Sequence, residues 1–186
     1  MKILLERGDV NPDSSDGFGQ TPLSYATEYG HEGVVKILLE RADVNSGSPD
    51  ERGRTPLSHA VRSRSEDIVK ILLERADVNP NLSDESRTPL AYAADFGYEG
   101  IVKILLERGD VDPNSACKAG MTPLSYAARS GHEGIVKILL QRVDVNPTSS
   151  DHRSRTQLAY LKRFAGTDVI KLIIIIIIIN IIIIYH

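Results

Sequence analysis

Scarcity is the first property of the 186-residue chain. It has one cysteine, Cys117, no tryptophan, two methionines and only 5% aromatic residues. A single cysteine excludes an internal disulfide and a cysteine-based zinc site. It favours a reducing compartment, so the cytoplasm is the expected location, with the nucleus as the alternative. Few aromatics means few of the stacking platforms on which single-stranded nucleic acid lies. Neither sign of charge predominates. There are 22 Lys and Arg against 25 Asp and Glu, a formal net charge of −3, so no global field points to nucleic acid. The opening Met1-Lys2-Ile3-Leu4-Leu5-Glu6-Arg7 brings charge back before an apolar region of useful length, and no secretory leader is expected.

What the chain does have is repetition. Thr-Pro-Leu stands at Thr21, Thr55, Thr88 and Thr122, at intervals of 34, 33 and 34 residues, and becomes Thr156-Gln157-Leu158 after a further 34. A second phrase follows each triplet. Val35-Lys36-Ile37-Leu38-Leu39 returns from Val69, from Val102 and from Val136. Chance does not keep so many positions in phase.

One copy can be read residue by residue. Thr21 supplies an oxygen that caps a helix, and Pro22 suits the first helical position, where a missing N–H is harmless. Leu23 and Ala26 give a short first helix with a small-residue face. Gly30 offers the left-handed residue that ends it. Val34, Val35, Leu38 and Leu39 follow at helical spacing, with Lys36 and Glu40 facing water. Asp43-Val44-Asn45 opens the loop to the next copy. Such a helix pair is too small to bury its own apolar face and must stack on its neighbours.

The pattern resembles the ankyrin repeat family. The resemblance rests on Thr-Pro-Leu-x-x-Ala (Thr21 to Ala26), Gly-His (Gly30-His31, Gly131-His132), Ile/Val-Val-Lys-Ile-Leu-Leu and Ala-Asp-Val-Asn (Ala42 to Asn45, Ala76 to Asn79), and it covers about residues 1–172. It implies an all-α, ankyrin-type helix-turn-helix solenoid with loop or β-hairpin connections. The divisions are a partial repeat over 1–20, full repeats over 21–54, 55–87, 88–121 and 122–155, a degenerate repeat over 156–174 and an isoleucine tail over 175–186. Two departures stand out. The family's histidine three residues after the threonine is replaced by Ser24, Ser58, Ala91, Ser125 and Ala159, which leaves its usual hydrogen bonds in doubt. The second copy has Arg64-Ser65 where Gly-His is expected. A side chain at a left-handed position costs roughly 1 kcal/mol, so that turn is expected to be the least regular of the four.

The ends depart further. Lys2 is in register with Lys36, so the chain opens inside a second helix. A fragment of a longer array is the expectation, and a half repeat serving as a cap is the alternative. At the other end, Ile173 to Ile179 and Ile181 to Ile184 flank Asn180. A helix from Leu172 to Ile184 would span roughly 20 Å against the roughly 30 Å of a hydrocarbon core, so a membrane anchor is disfavoured. The tail reads as a low-complexity, aggregation-prone segment.

No constellation for catalysis emerges. His31 and His132 share one repeat position, which marks a structural role. His59 lies on a first helix, and His152 beside Asp151 has no nucleophile placed by any motif. Asp43, Asp77, Asp110 and Asp144 recur in phase and read as turn formers. Gly17-Phe18-Gly19 lacks the rest of a nucleotide fingerprint. Arg7-Gly8-Asp9 and Arg108-Gly109-Asp110 fill the slot of Arg41-Ala42-Asp43. No enzyme, cofactor or metal is expected.

In the family, partners are held on a concave surface of loop tips and first-helix ends. The positions aligned with it vary among the copies, and the candidates are Phe18, Gln20, Glu28, Tyr29, Arg52, Arg54, Arg62, Arg87, Asp95, Phe96, Lys118, Met121, Arg129, Arg153 and Arg155. Arginines and aromatics are the usual anchors of binding energy, and an acidic or mixed-charge peptide surface would suit the strip. The expected function is a monomeric scaffold that binds a protein or peptide, not nucleic acid or a membrane. The alternative is an inert segment of a longer protein whose activity lies elsewhere.

Overall fold

The computed structural model describes residues 10–147 and Asp151. Among them the chain forms eight α-helices and no β-strand. Four pairs follow one another: α1 (Pro22–Glu28) with α2 (Glu32–Leu39), α3 (Pro56–Arg62) with α4 (Glu66–Leu73), α5 (Pro89–Phe96) with α6 (Glu99–Glu107), and α7 (Pro123–Ser130) with α8 (Glu133–Leu140). Residues 1–9 of the partial repeat, the degenerate repeat and the isoleucine tail lie outside the described residues. The described chain falls into two compact units. The first runs to Pro89 and takes in Ile104–Val111; the second comprises Leu90–Lys103 and resumes at Asp112.

The first helices of the first, second and fourth repeats begin as the sequence implies. Thr21, Thr55 and Thr122 hold extended backbone, and their hydroxyls accept the N–H groups of Ser24, Ser58 and Ser125. The same serine hydroxyls lie 3.2–3.3 Å from the threonine oxygens, within hydrogen-bond reach. A buried Thr–Ser pair therefore stands where the family's histidine is missing. In the first unit α1 packs on α2 and α3, and α4 packs on α2 and α3. Leu23, Leu38, Leu57, Ile68 and Leu72 fill the space between them and are almost fully buried. In the second unit, Leu90, Ile101, Leu124, Ile135 and Leu139 are buried to the same degree. Each such side chain stabilises the fold by roughly 1.5–3 kcal/mol relative to an exposed one.

The second repeat's turn contradicts its expected irregularity. Arg64 does take a left-handed backbone, with φ of 57°. Yet Arg64 N–H donates to Val61 O at 3.0 Å and Ser65 N–H to Ala60 O at 3.0 Å. The glycine-containing turn of the first repeat makes the matching bonds, Gly30 to Thr27 O and His31 to Ala26 O. The strain is confined to one residue because the helix packing on both sides imposes the same reversal.

The recurring Asp43, Asp77, Asp110 and Asp144 do more than form turns. Each carboxylate holds the arginine two residues before it: Arg41, Arg75, Arg108 and Arg142. Held in this way, the Arg108 guanidinium donates to three carbonyls of the second repeat, Leu73 O at 2.9 Å, Arg75 O at 3.3 Å and Val78 O at 2.8 Å. Further polar side chains tie each loop to the next: Asp13 accepts Asn45 N–H, Asp77 accepts Ser46 N–H and the Asn81 amide donates to Asp110 O, all in the first unit. In the second unit Asn114 donates to Asp144 O and accepts Asn146 N–H.

Two substitutions test this account by urea denaturation. Arg64→Gly should stabilise the chain by about 0.5–1 kcal/mol, because glycine takes the left-handed backbone without strain. Arg108→Lys should destabilise by about 1–3 kcal/mol, since an ammonium cannot reach three carbonyls and a carboxylate from one plane. An unchanged midpoint for either would contradict the corresponding assignment.

Candidate partner-binding face

A second set of in-phase aspartates, outside the candidate strip, shapes the loop tips. Asp16 Oδ1 accepts the N–H groups of Phe18 and Gln20 at 2.9 Å each. Asp50 Oδ1 does the same for Arg52 and Arg54, and Asp84 Oδ1 for Ser86 and Arg87. In the fourth repeat Cys117 Sγ takes this place, accepting Ala119 N–H and the Tyr126 hydroxyl, both at 3.3 Å. The signal was present, since Asp16, Asp50, Asp84 and Asp151 keep the phase of the repeat and Cys117 fills the remaining slot. Consecutive tips are joined as well. Glu51 N–H donates to Phe18 O, and Glu85 N–H donates to Arg52 O. Gly19, with φ of 75°, allows this approach, because a Cβ there would sit 3.1 Å from Glu51 N.

These tips and the first-helix ends carry the candidate residues, and their settings differ. In the first unit Phe18, Tyr29, Arg52 and Arg62 are exposed, Glu28, Arg54 and Arg87 are half-buried, and Gln20 is buried. In the second unit Phe96, Lys118 and Arg129 are exposed, Asp95 is half-buried and Met121 is buried. Arg153 and Arg155 lie outside the described residues.

Several of these charges are engaged within the fold. Arg54 holds Asp50 through Nε at 2.8 Å, and the Gln20 amide donates to Glu28 Oε2 at 2.9 Å. Arg129 reaches Asp95 Oδ1 at 3.1 Å, where the Ser130 hydroxyl also donates at 2.7 Å. The Arg129 guanidinium also lies 4.9 Å over the Tyr126 ring. Three of the residues left projecting are aromatic: Phe18 is 68% exposed, Tyr29 66% and Phe96 52%. The rings form rows. Tyr25, Tyr29 and His31 lie at 6.4 and 6.2 Å centroid separations in the first unit. Tyr92, Phe96 and Tyr98 lie at 6.1 and 5.8 Å in the second. Beside the first row, Phe18, Gln20, Glu51, Arg52 and Arg54 line an open recess of about 230 Å³.

Of the five histidines, His31, His59 and His132 lie among the described residues. His132 Nε2 lies 3.0 Å from Asp95 O, and its ring packs where a Cβ on Gly97 would strike it at 2.7 Å. His31 continues a ring row. His152 lies outside the described residues. Among the described residues no three His, Cys, Asp or Glu side chains are grouped to hold a metal ion. No described helix is long and apolar enough to cross a membrane.

His59 occupies the slot that holds Tyr25, Tyr92 and Tyr126 in the other repeats. It is 1% exposed, with Nε2 3.4 Å from Asp50 Oδ2 and Nδ1 3.9 Å from Glu28 Oε2. Burial pushes its pKa below the usual histidine value; the Arg54 charge adds to this, and the carboxylates of Glu28 and Asp50 oppose it. Neutral His59 therefore contributes stability that is present above about pH 6.5 and is lost as the pH falls towards the lower folded value. His59→Tyr should flatten the loss of stability between about pH 7 and 5 and raise Tm at the acid end by about 2–4 °C. A pH–Tm profile parallel to wild type would refute the assignment.

The comparisons agree with this architecture. A family model described as ankyrin repeats (3 copies) matches residues 1–84 and 76–151. No curated protein matches the chain. Proteins of this family are generally interaction modules and typically non-enzymatic scaffolds. With most of its length matched and its helices paired in phase with Thr-Pro-Leu, the chain belongs to the ankyrin repeat family.

Proposed function

We propose that this chain is a protein-interaction scaffold without catalytic activity, and that its partner docks on the loop tips and first-helix ends. One observation carries the reading. The core leucines are almost fully buried, while Phe18, Tyr29 and Phe96 project from these tips and helix ends with more than half of their surface in water. Aromatic residues are enriched among the anchors that carry binding energy. Rigid tips, each pinned by an aspartate or by Cys117, supply the preorganisation that binding rewards. The engaged arginines, Arg54 and Arg129, then orient the rim, and aromatic contact supplies the affinity. A reducing compartment such as the cytoplasm suits a chain whose single cysteine, Cys117, is buried.

Affinity capture with wild type and with a Phe18→Ser, Tyr29→Ser, Phe96→Ser variant tests this. The variant should keep its helical circular dichroism and lose the partners that wild type retains, each substitution weakening binding by about 1–3 kcal/mol. A charge-reversal variant at Arg52 and Arg87 should change the association rate more than the dissociation rate. Identical partners with wild type and the serine variant would place the binding surface elsewhere.

A further inference from the structure

The fourth repeat shows what a first-helix tyrosine of this chain accommodates. There the Arg129 guanidinium lies 4.9 Å over the Tyr126 ring while bonded to the Asp95 carboxylate. The position of Arg129 is held by Glu28 in the first repeat, and the position of Ser130 by Tyr29. Where the fourth repeat supplies its own cation, the first repeat supplies an acid and a second ring. Tyr25 and Tyr29 are nearly parallel, 4° apart, and are 40% and 66% exposed. Among the described residues no cation of the chain is recorded over either ring.

The charge around the pair is negative. Asp16 Oδ2 accepts the Tyr25 hydroxyl at 2.7 Å. That bond, with burial and the charges of Asp16, Tyr29 and Glu28, holds the Tyr25 phenol above its ordinary pKa. A ring face attracts a cation through its quadrupole, and a nearby carboxylate adds to the attraction.

We propose that the Tyr25–Tyr29 ledge, with Glu28 and Asp16 beside it, receives an arginine side chain of a partner peptide. This rests on the reading of the loop tips and first-helix ends as the binding face, and it names the partner's anchoring group. It also inverts the charge preference expected from the sequence. At this ledge the acids are the nearer charges, and Arg54 is engaged by Asp50.

The test is an NMR titration of the full chain with three synthetic octapeptides: alternating Gly-Arg, Gly-Lys and Gly-Glu. The Gly-Arg peptide should shift the Tyr25, Tyr29 and His31 ring resonances saturably, Gly-Lys more weakly and Gly-Glu not at all. Tyr29→Ser and Glu28→Arg install residues that other repeats already carry at those positions, and circular dichroism monitors their fold. Each should weaken Gly-Arg binding by about two- to fivefold, the scale of an exposed cation–aromatic contact. Gly-Glu shifting the rings as strongly as Gly-Arg would overturn the cation assignment while leaving the face as a peptide-binding surface. Gly-Arg binding that neither variant weakens would overturn it too, as would the absence of ring shifts with wild type. The serine variant in affinity capture reports separately on the face itself.

Discussion

Everything else in this protein depends on the inability of a pair of seven- to nine-residue helices to bury its own apolar face. Leu23 and Leu38 are buried because α3 and α4 lie against α1 and α2, and no shorter-range arrangement would shield them. Repetition follows from this constraint. A residue that faces a neighbouring repeat meets a copy of itself, so the same residue solves the packing each time. The polar groups obey the same logic. Arg108 can donate to Leu73 O, Arg75 O and Val78 O because Asp110 holds its guanidinium and because the second repeat presents those carbonyls in one place. A buried carbonyl without such a donor would be costly.

Regularity of the core frees the edge. The backbone of each tip is fixed by a carboxylate, or by Cys117, that accepts two N–H groups or their equivalent. Side chains at the tips are then available for purposes other than folding. Even so, the fold draws some of them back in. Arg54 serves Asp50, Gln20 serves Glu28, and Arg129 serves Asp95 and Tyr126. Among what remains exposed are three aromatic rings, Phe18 on a loop tip and Tyr29 and Phe96 at first-helix ends. His59 shows how sensitive that inner layer is. A histidine in a tyrosine slot brings a titratable ring next to Asp50 and Glu28, where burial opposes its charged form.

The helix pairs were legible from Thr-Pro-Leu, from the apolar spacing after Val35 and from the glycines at helix ends, because local capping and periodicity are properties of a few adjacent residues. The turn at Arg64 was legible in conformation but not in regularity. The sequence shows an unfavourable residue, whereas the packing of α3 and α4 decides that the turn keeps its hydrogen bonds. The role of Asp43 and its equivalents was only half legible. Spacing suggests a turn, but the partners of Arg108 come from residues 30 to 35 positions away, and nothing in a local pattern names them.

By itself the sequence determined the repeat, the helix boundaries, the family and the set of positions released from packing. These follow from short-range capping, hydrophobic period and self-similarity. Tertiary structure decided which of the released positions face water and which are recruited by a neighbour. Gln20 and Met121 are buried and Arg129 is bound to Asp95, while Phe18, Tyr29 and Phe96 project. The reason is geometric: exposure and pairing at a loop tip depend on the repeat beside it, and sequence spacing carries no information about how closely two such tips approach.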